Sequence, residues 1–178
     1  MEYGGARIYI IDEASSIESR TERLIRLARE YAAEEDVPLP KKLSIARSEH
    51  GKPYFENAPW LHFSVSHSGG LWVCALCRSE VGIDIEQYSA RDYLSLAGRF
   101  FHPDETKYTE RGGAEAFYSV WTAKESYVKL LGTGIGGSFS HFSVVGRGGI
   151  SGGRLFARFT PIPVQKGYAL TLCRWDDE

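Results

Sequence analysis

Hydrophobic and polar positions alternate strictly in the middle of the chain. Across Val81–Gln87, Val81, Ile83 and Ile85 alternate with Gly82, Asp84 and Glu86. A strand here has one wholly apolar face and a second face carrying a glycine and two acids. The same period of two predicts strands at ARIYIID, KKLSIARS, LHFSVS and LWVCALCR, and near the end of the chain at RLFARF and KGYALTLC. Ser-Gly-Gly and Ser-Glu separate LHFSVS, LWVCALCR and VGIDIE, so these three read as a meander. The period changes to 3.6 in SSIESRTERLIRLAREYAAEED, an amphipathic helix whose apolar side is Ile17, Leu24, Ile25, Leu27 and Ala28. It has a serine start and stops before Pro38. Two more helices are predicted, from about Tyr93 to Phe101 and from about Ala114 to Leu131. In the second, Phe117, Val120, Trp121, Val128 and Leu131 form an apolar stripe with Lys124 inside it, while Glu125 and Lys129 run along one flank.

The end of the chain repeats the beginning in outline. His141-Phe142-Ser143-Val144 copies His62-Phe63-Ser64-Val65, and RLFARF and KGYALTLC follow it to give again three strands, the last ending in a Leu-Cys like that of LWVCALC. The expected architecture is therefore α/β (α+β), with two similar halves at residues 1–89 and 90–178. Each half would hold a small antiparallel sheet with helices, and the two would pack face to face. A chain that already contains both halves is expected to be a monomer.

Composition narrows the function classes. The chain has 178 residues, 43% hydrophobic and 13% aromatic, enough to bury a core without disulfides. A formal charge of −2 gives no long-range pull toward nucleic acid or anionic lipid. There is no apolar run of membrane-spanning length and no basic, apolar leader at the start, so a cytoplasmic protein is expected. Cys74 and Cys77 look like a C-x-x-C pair, but they sit on a predicted strand. Residues three apart on a strand face opposite ways, which makes them small core residues rather than joint metal ligands.

Chemistry enters with the acids. Asp84 and Glu86 would project side by side, with about 6–7 Å between their Cα atoms. Two carboxylates that close repel unless a proton or a cation joins them. The ordinary reading is a solvated sheet face; the functional one is a hard dication, Mg²⁺ above all, shared with a phosphate. Gly82 is expected to leave room for the ligand on that face. Glu125 and Lys129 read equally as an ordinary i,i+4 ion pair. Gly51 permits an unusual turn, Lys52 offers a mobile point charge and Pro53 fixes the exit. Ser66, His67 and Ser68 place donors ahead of a glycine pair, where a phosphate could reach the backbone. Neither GxxxxGK[ST] nor GxGxxG occurs.

Four motifs in order resemble one family, the 4′-phosphopantetheinyl transferases of the surfactin-synthetase-activating (Sfp-like) type. They are Gly51-Lys52-Pro53, Phe63-Ser64-Val65-Ser66-His67-Ser68, Gly82-Ile83-Asp84-Ile85-Glu86, and Trp121-Thr122-Ala123-Lys124-Glu125-Ser126-Tyr127-Val128-Lys129. Arg99 to Glu105 also looks like the family's segment between the acids and the helix. The resemblance implies two pseudo-twofold-related halves with coenzyme A in the cleft between them. It implies Mg²⁺, or Mn²⁺, on Asp84, Glu86 and Glu125, with Lys129 on the pyrophosphate. Lys52, Pro53, Ser66 and His67 would hold the nucleotide and its phosphates.

The implied reaction moves phosphopantetheine from coenzyme A to a serine of an acyl or peptidyl carrier protein, with Asp84, Glu125 and Lys129 catalytic. Longer relatives carry basic residues before the first helix; Arg20 and Thr21, with Arg23 or Arg7, are the nearest replacements here. Phe100 and Phe101, read as exposed, are expected to help dock the carrier. The competing readings are a Mg²⁺-dependent phosphohydrolase and a non-catalytic coenzyme A or phosphate-binding module. The carrier and its pathway, and the role of Lys124, are not legible in the sequence.

Overall fold

The computed structural model describes residues 1–134, 139–146, 148–151 and 155–176. In chain order come β1 (Glu2–Tyr3), β2 (Ala6–Asp12), α1 (Arg20–Glu34), β3 (Ile45–Arg47) and β4 (Pro53–Phe55). They are followed by β5 (His62–Ser68), β6 (Leu71–Cys77) and β7 (Val81–Gln87). Next are α2 (Tyr93–Phe100) and α3 (Pro103–Leu131), then β8 (Val145–Gly146), β9 (Gly149–Ile150), β10 (Ala157–Pro161) and β11 (Tyr168–Trp175). Among the described residues no helix is long and apolar enough to cross a membrane.

Helix starts follow their caps. Ser19 Oγ accepts from the Glu22 N–H at 3.2 Å while Glu22 Oε2 accepts from the Ser19 N–H at 2.9 Å, closing a reciprocal cap on α1. The predicted helix therefore begins later than its first serine, and Ile17 lies outside it, fully exposed. In α3, Pro103 occupies the first turn and Glu105 Oε2 accepts from the His102 N–H at 2.9 Å. The helix is broken by Gly113 at φ 67° and ψ −150°, so the segment predicted from Ala114 is its second part. Residues 103–112 are a helical stretch that the hydrophobic period missed.

The strands form a four-stranded antiparallel sheet, β1-β2-β6-β5, a three-stranded antiparallel sheet, β10-β11-β7, and two short pairs, β3-β4 and β8-β9. Alternation along β6 sends Trp72, Cys74 and Leu76 toward Leu24, Leu27 and Ala28 of α1. Val73, Ala75 and Cys77 face the other way, against Val81, Ile83 and Ile85 of β7 and Leu170 and Leu172 of β11. The outer face of the second sheet meets α3 through Phe159 and Cys173, packed with Phe117, Val120 and Ala123. The order of layers is helix, sheet, sheet, helix, and Cys74 and Cys77 lie on opposite faces of one sheet as their spacing requires.

Three expectations need correction. The meander ends at β6, because β7 pairs with β11 in the other sheet, with Asp84 opposite Thr171 and Glu86 opposite Ala169. The apolar face of β7 covers the first sheet instead of extending its edge. Second, the repeated His-Phe-Ser-Val is a strand only once. Phe139–His141 is a 3₁₀ turn, and the chain after it is irregular up to Val145. That segment is pinned to α3, since Lys124 Nζ donates to the Phe142 carbonyl at 2.6 Å. Third, Phe101 is 4% exposed and stacks on Phe117 at 5.2 Å, while Phe100 packs edge-on to Trp121. The Phe-Phe pair is core, not a docking patch.

Candidate active site

Two elements make the site. The second face of β7, carrying Gly82, Asp84 and Glu86, lies against α3. A Cβ on Gly82 would come within 2.6 Å of the Leu130 backbone nitrogen and closer still to the Ser126 carbonyl oxygen. The space expected there for a ligand is filled by the helix. Gly82 is needed because it lets strand and helix backbones touch. That contact brings Asp84, two residues along, beside the turn of α3 that carries Glu125 and Lys129.

Asp84 is 4% and Glu125 8% exposed. Lys129 Nζ donates to Asp84 Oδ1 at 2.7 Å and to the carbonyls of Ile83 and Val65 at 3.2 and 3.4 Å. Ser66 Oγ donates to the same Asp84 Oδ1 at 2.8 Å, and among the described residues Asp84 Oδ2 is buried with no partner. Half-buried Glu86 accepts from Ser68 Oγ at 2.9 Å. Burial pushes the Asp84 carboxyl up to about 6 despite Lys129 and Ser66. Burial, then the charge of Asp84, pushes Glu125 up to about 7, with Glu86 adding to it.

These acids feel one another yet are not arranged as a coordination shell. Among the described residues no group of three His, Cys, Asp or Glu side chains is gathered to hold one metal ion. The donor chemistry nevertheless suits a hard dication. The candidate donors are all carboxylate oxygens, one of them is buried and unpartnered among the described residues, and burial raises both Asp84 and Glu125 above the ordinary carboxyl range.

The remaining candidate residues line two adjoining cavities. One, of about 220 Å³, has Gly51, Lys52 and Pro53 on one side and Glu125 and Lys129 on the other. The second, of about 240 Å³, is lined by Arg20, Thr21, Arg47, Ser66 and His67. Pro53, Phe63 and Val65 belong to the walls of both. Arg20 makes two bonds to Glu13, at 2.8 and 2.9 Å. Lys52 Nζ reaches across to the last turn of α3, donating to the Leu130 carbonyl at 3.1 Å, and forms an ion pair with Glu80. Glu80 also faces His62 Nδ1 at 3.2 Å. Its carboxyl is held down to about 2, chiefly by His62 and then by Lys52.

Two of the arginines named from sequence line neither cavity. Arg23 is 2% exposed, with its guanidinium over the Trp72 ring at 5.1 Å. Arg7 pairs with Glu34 and Glu35 at the far end of α1. Arg47, which sequence reasoning passed over, lines the second cavity, and the alternation of IARS just before the Gly-Lys-Pro turn is the signal that could have found it. Lys124 is also resolved. Both it and Glu105 are completely buried, with Nζ 2.7 Å from Glu105 Oε2, while Glu105 Oε1 accepts from the Val144 N–H at 2.8 Å. Burial still pulls the Lys124 ammonium below its ordinary value.

Residues 80–173 match the family model of the 4′-phosphopantetheinyl transferase superfamily. A 4′-phosphopantetheinyl transferase of Bacillus subtilis is 37% identical over 110 residues, covering 59% of this chain and 48% of its own length. The 4′-phosphopantetheinyl transferase psf-1 of Bacillus pumilus is 36% identical over 132 residues, 71% of this chain and 56% of that one. Sfp of Bacillus subtilis strain 168 is 34% identical over 108 residues, 57% and 47%. The chain spans about half the length of the curated relatives it matches.

Proposed function

We propose that this chain, which belongs to the 4′-phosphopantetheinyl transferase superfamily, transfers 4′-phosphopantetheine from coenzyme A to a serine of an acyl or peptidyl carrier protein. The observation that carries the reading is the position of Asp84, Glu125 and Lys129 at the contact of β7 and α3, beside the cavities that hold Lys52, Ser66 and His67. Coenzyme A would lie along these cavities, the first lined from both proposed halves, residues 1–89 and 90–178, and the second from residues 1–89 alone, in a protein that acts as a cytoplasmic monomer. Lys52, Pro53, Ser66 and His67 would hold the nucleotide and its phosphates, with Arg20, Thr21 and Arg47 at the outer end. Arg20 would trade part of its Glu13 pairing for phosphate.

In the reaction the carrier serine oxygen attacks the phosphorus that bears pantetheine. A bond forms from that oxygen to phosphorus, the bond from phosphorus to the diphosphate bridge oxygen breaks with its electron pair, and 3′,5′-ADP leaves. Glu125, on the turn of α3 that faces Asp84, would take the serine proton. Lys129 offers positive charge to the leaving oxygens. A Mg²⁺ or Mn²⁺ ion held by Asp84, Glu86 and Glu125 would add Lewis-acid stabilisation of the diphosphate.

The test is mass spectrometry of apo carrier proteins incubated with the chain, coenzyme A and Mg²⁺. The expected result is a gain of one phosphopantetheine on at least one carrier, reduced about 100-fold or more in rate by Glu125→Gln. Absence of any gain across fatty-acid, polyketide and peptide carriers, or phosphate release without a carrier, overturns the proposal.

A further inference from the structure

An ammonium group has three N–H donors. In Lys129 all three point at protein acceptors: Asp84 Oδ1, the Ile83 carbonyl and the Val65 carbonyl. None is left over for a diphosphate. Asp84 is in a matching position, with Oδ1 shared between Lys129 and Ser66 and the buried Oδ2 unpartnered among the described residues. A dication drawn to Oδ2 would sit beside the Lys129 ammonium in a poorly solvated place, where like charges repel strongly. The same lysine therefore obstructs the cation and is itself unavailable to the phosphates while Asp84 holds it.

We propose that Lys129 is a tethered counter-ion of Asp84, so that the chain takes up a divalent cation and a diphosphate together and binds the cation poorly alone. A diphosphate gives the ammonium a second anionic partner on the open side of the 220 Å³ cavity, which Lys129 lines. Once Lys129 swings to it, Asp84 is left with both oxygens short of positive charge, and the cation replaces what the lysine supplied. By linkage the effect is reciprocal, so the cation raises diphosphate affinity by the factor with which the diphosphate raises cation affinity. The inference rests on the transferase reading only for the source of the diphosphate.

The experiment is calorimetric titration of the full chain with MnCl₂, with and without saturating coenzyme A, corrected for Mn²⁺ bound by coenzyme A itself. Wild-type protein should bind Mn²⁺ at least about 10-fold more tightly with coenzyme A than without it, within the usual range of site–site coupling. Lys129→Gln should bind Mn²⁺ alone about 10-fold more tightly than wild type and lose most of the coupling. Arg158→Gln removes a cation that lines neither cavity and is paired with Asp176 rather than Asp84. It should leave affinity for Mn²⁺ alone within about twofold. Should Lys129→Gln fail to fold by circular dichroism, Lys129→Met takes its place, and the wild-type comparison needs no variant.

Equal Mn²⁺ affinity with and without coenzyme A, unchanged affinity in the Lys129 variant, or no Mn²⁺ binding in any case overturns the inference. The carrier assay reads the other claim separately. Coupling without mass gain keeps the role of Lys129 and removes the transferase, and mass gain without coupling does the reverse.

Discussion

Neighbours set the ionisation of some side chains in this molecule, and burial sets that of others. Glu80 is the clearest case for a measurement, because its partners His62 and Lys52 hold its carboxyl down to about 2. A carboxyl whose value in the folded chain lies below its unfolded one adds stability above the unfolded value. It loses that contribution as pH falls through the folded value. Glu80→Gln should thus be less stable than wild type at pH 6, and the gap should close as the pH drops from about 4.5 toward 2. Since Glu80 is 43% exposed, solvent screening holds the effect to about 1 kcal/mol. Urea midpoints for both proteins at several pH values would read it, and a gap that persists at pH 2 would place the effect elsewhere. Asp84 and Glu125 have the opposite sign. Burial raises them, so their ionisation near neutral pH costs stability instead of adding it.

At the scale of elements, the contact between β7 and α3 positions everything else. Gly82→Ala would drive a methyl into the backbone of Ser126 and Leu130, which cannot rotate away as a side chain could. Overpacking of this kind costs about 1–3 kcal/mol. It should also separate Asp84 from Lys129, so transfer should fall further than stability at a temperature where the variant is still folded. A variant with wild-type midpoint and rate would mean the helix has room to move. The sequence marked Gly82 as special but for the wrong reason. The pattern Gly-x-Asp-x-Glu says that a side chain is absent, and only the packed helix says what uses the gap. Lys124 was similarly out of place in its apolar stripe, and its partner Glu105 lies 19 residues away on the far side of the Gly113 break. No period of 3.6 joins residues across such a break. By contrast the caps, the strand periods and the motif residues around both cavities were legible, because each depends on neighbours close in sequence.

Over the whole molecule, the pairing of β7 was the least legible feature. A strand with the period of two fits the edge of either sheet equally well, and the short Ser-Glu connection favours the wrong one. What joins the sheets instead is a row of serines on the edge strand β5. Ser64 Oγ accepts from the Ile83 N–H at 3.1 Å and Ser68 Oγ from the Gln87 N–H at 3.0 Å, while Ser66 bonds Asp84. Every second residue of β5 thus caps a group on β7 that has no strand on that side, so two sheet edges meet without a continuous ladder. The sequence shows Ser64 only as a polar letter in an apolar strand and offers Ser66 and Ser68 as phosphate donors, whereas both hydroxyls are bonded to groups of β7. Ser64 sits in the driest place, 6% exposed, and Ser64→Ala would leave the Ile83 N–H buried without an acceptor. The cost of such an orphan is about 1–3 kcal/mol, well above that of removing an exposed hydroxyl. Ser64→Ala should therefore lower the denaturation midpoint while unfolding stays a single transition, since the two sheets also share one apolar layer. Hydrogen exchange at the Ile83 amide should accelerate more than at amides inside β6. Equal protection at both would mean that the apolar layer alone holds the sheets together and that the serines only decorate the seam.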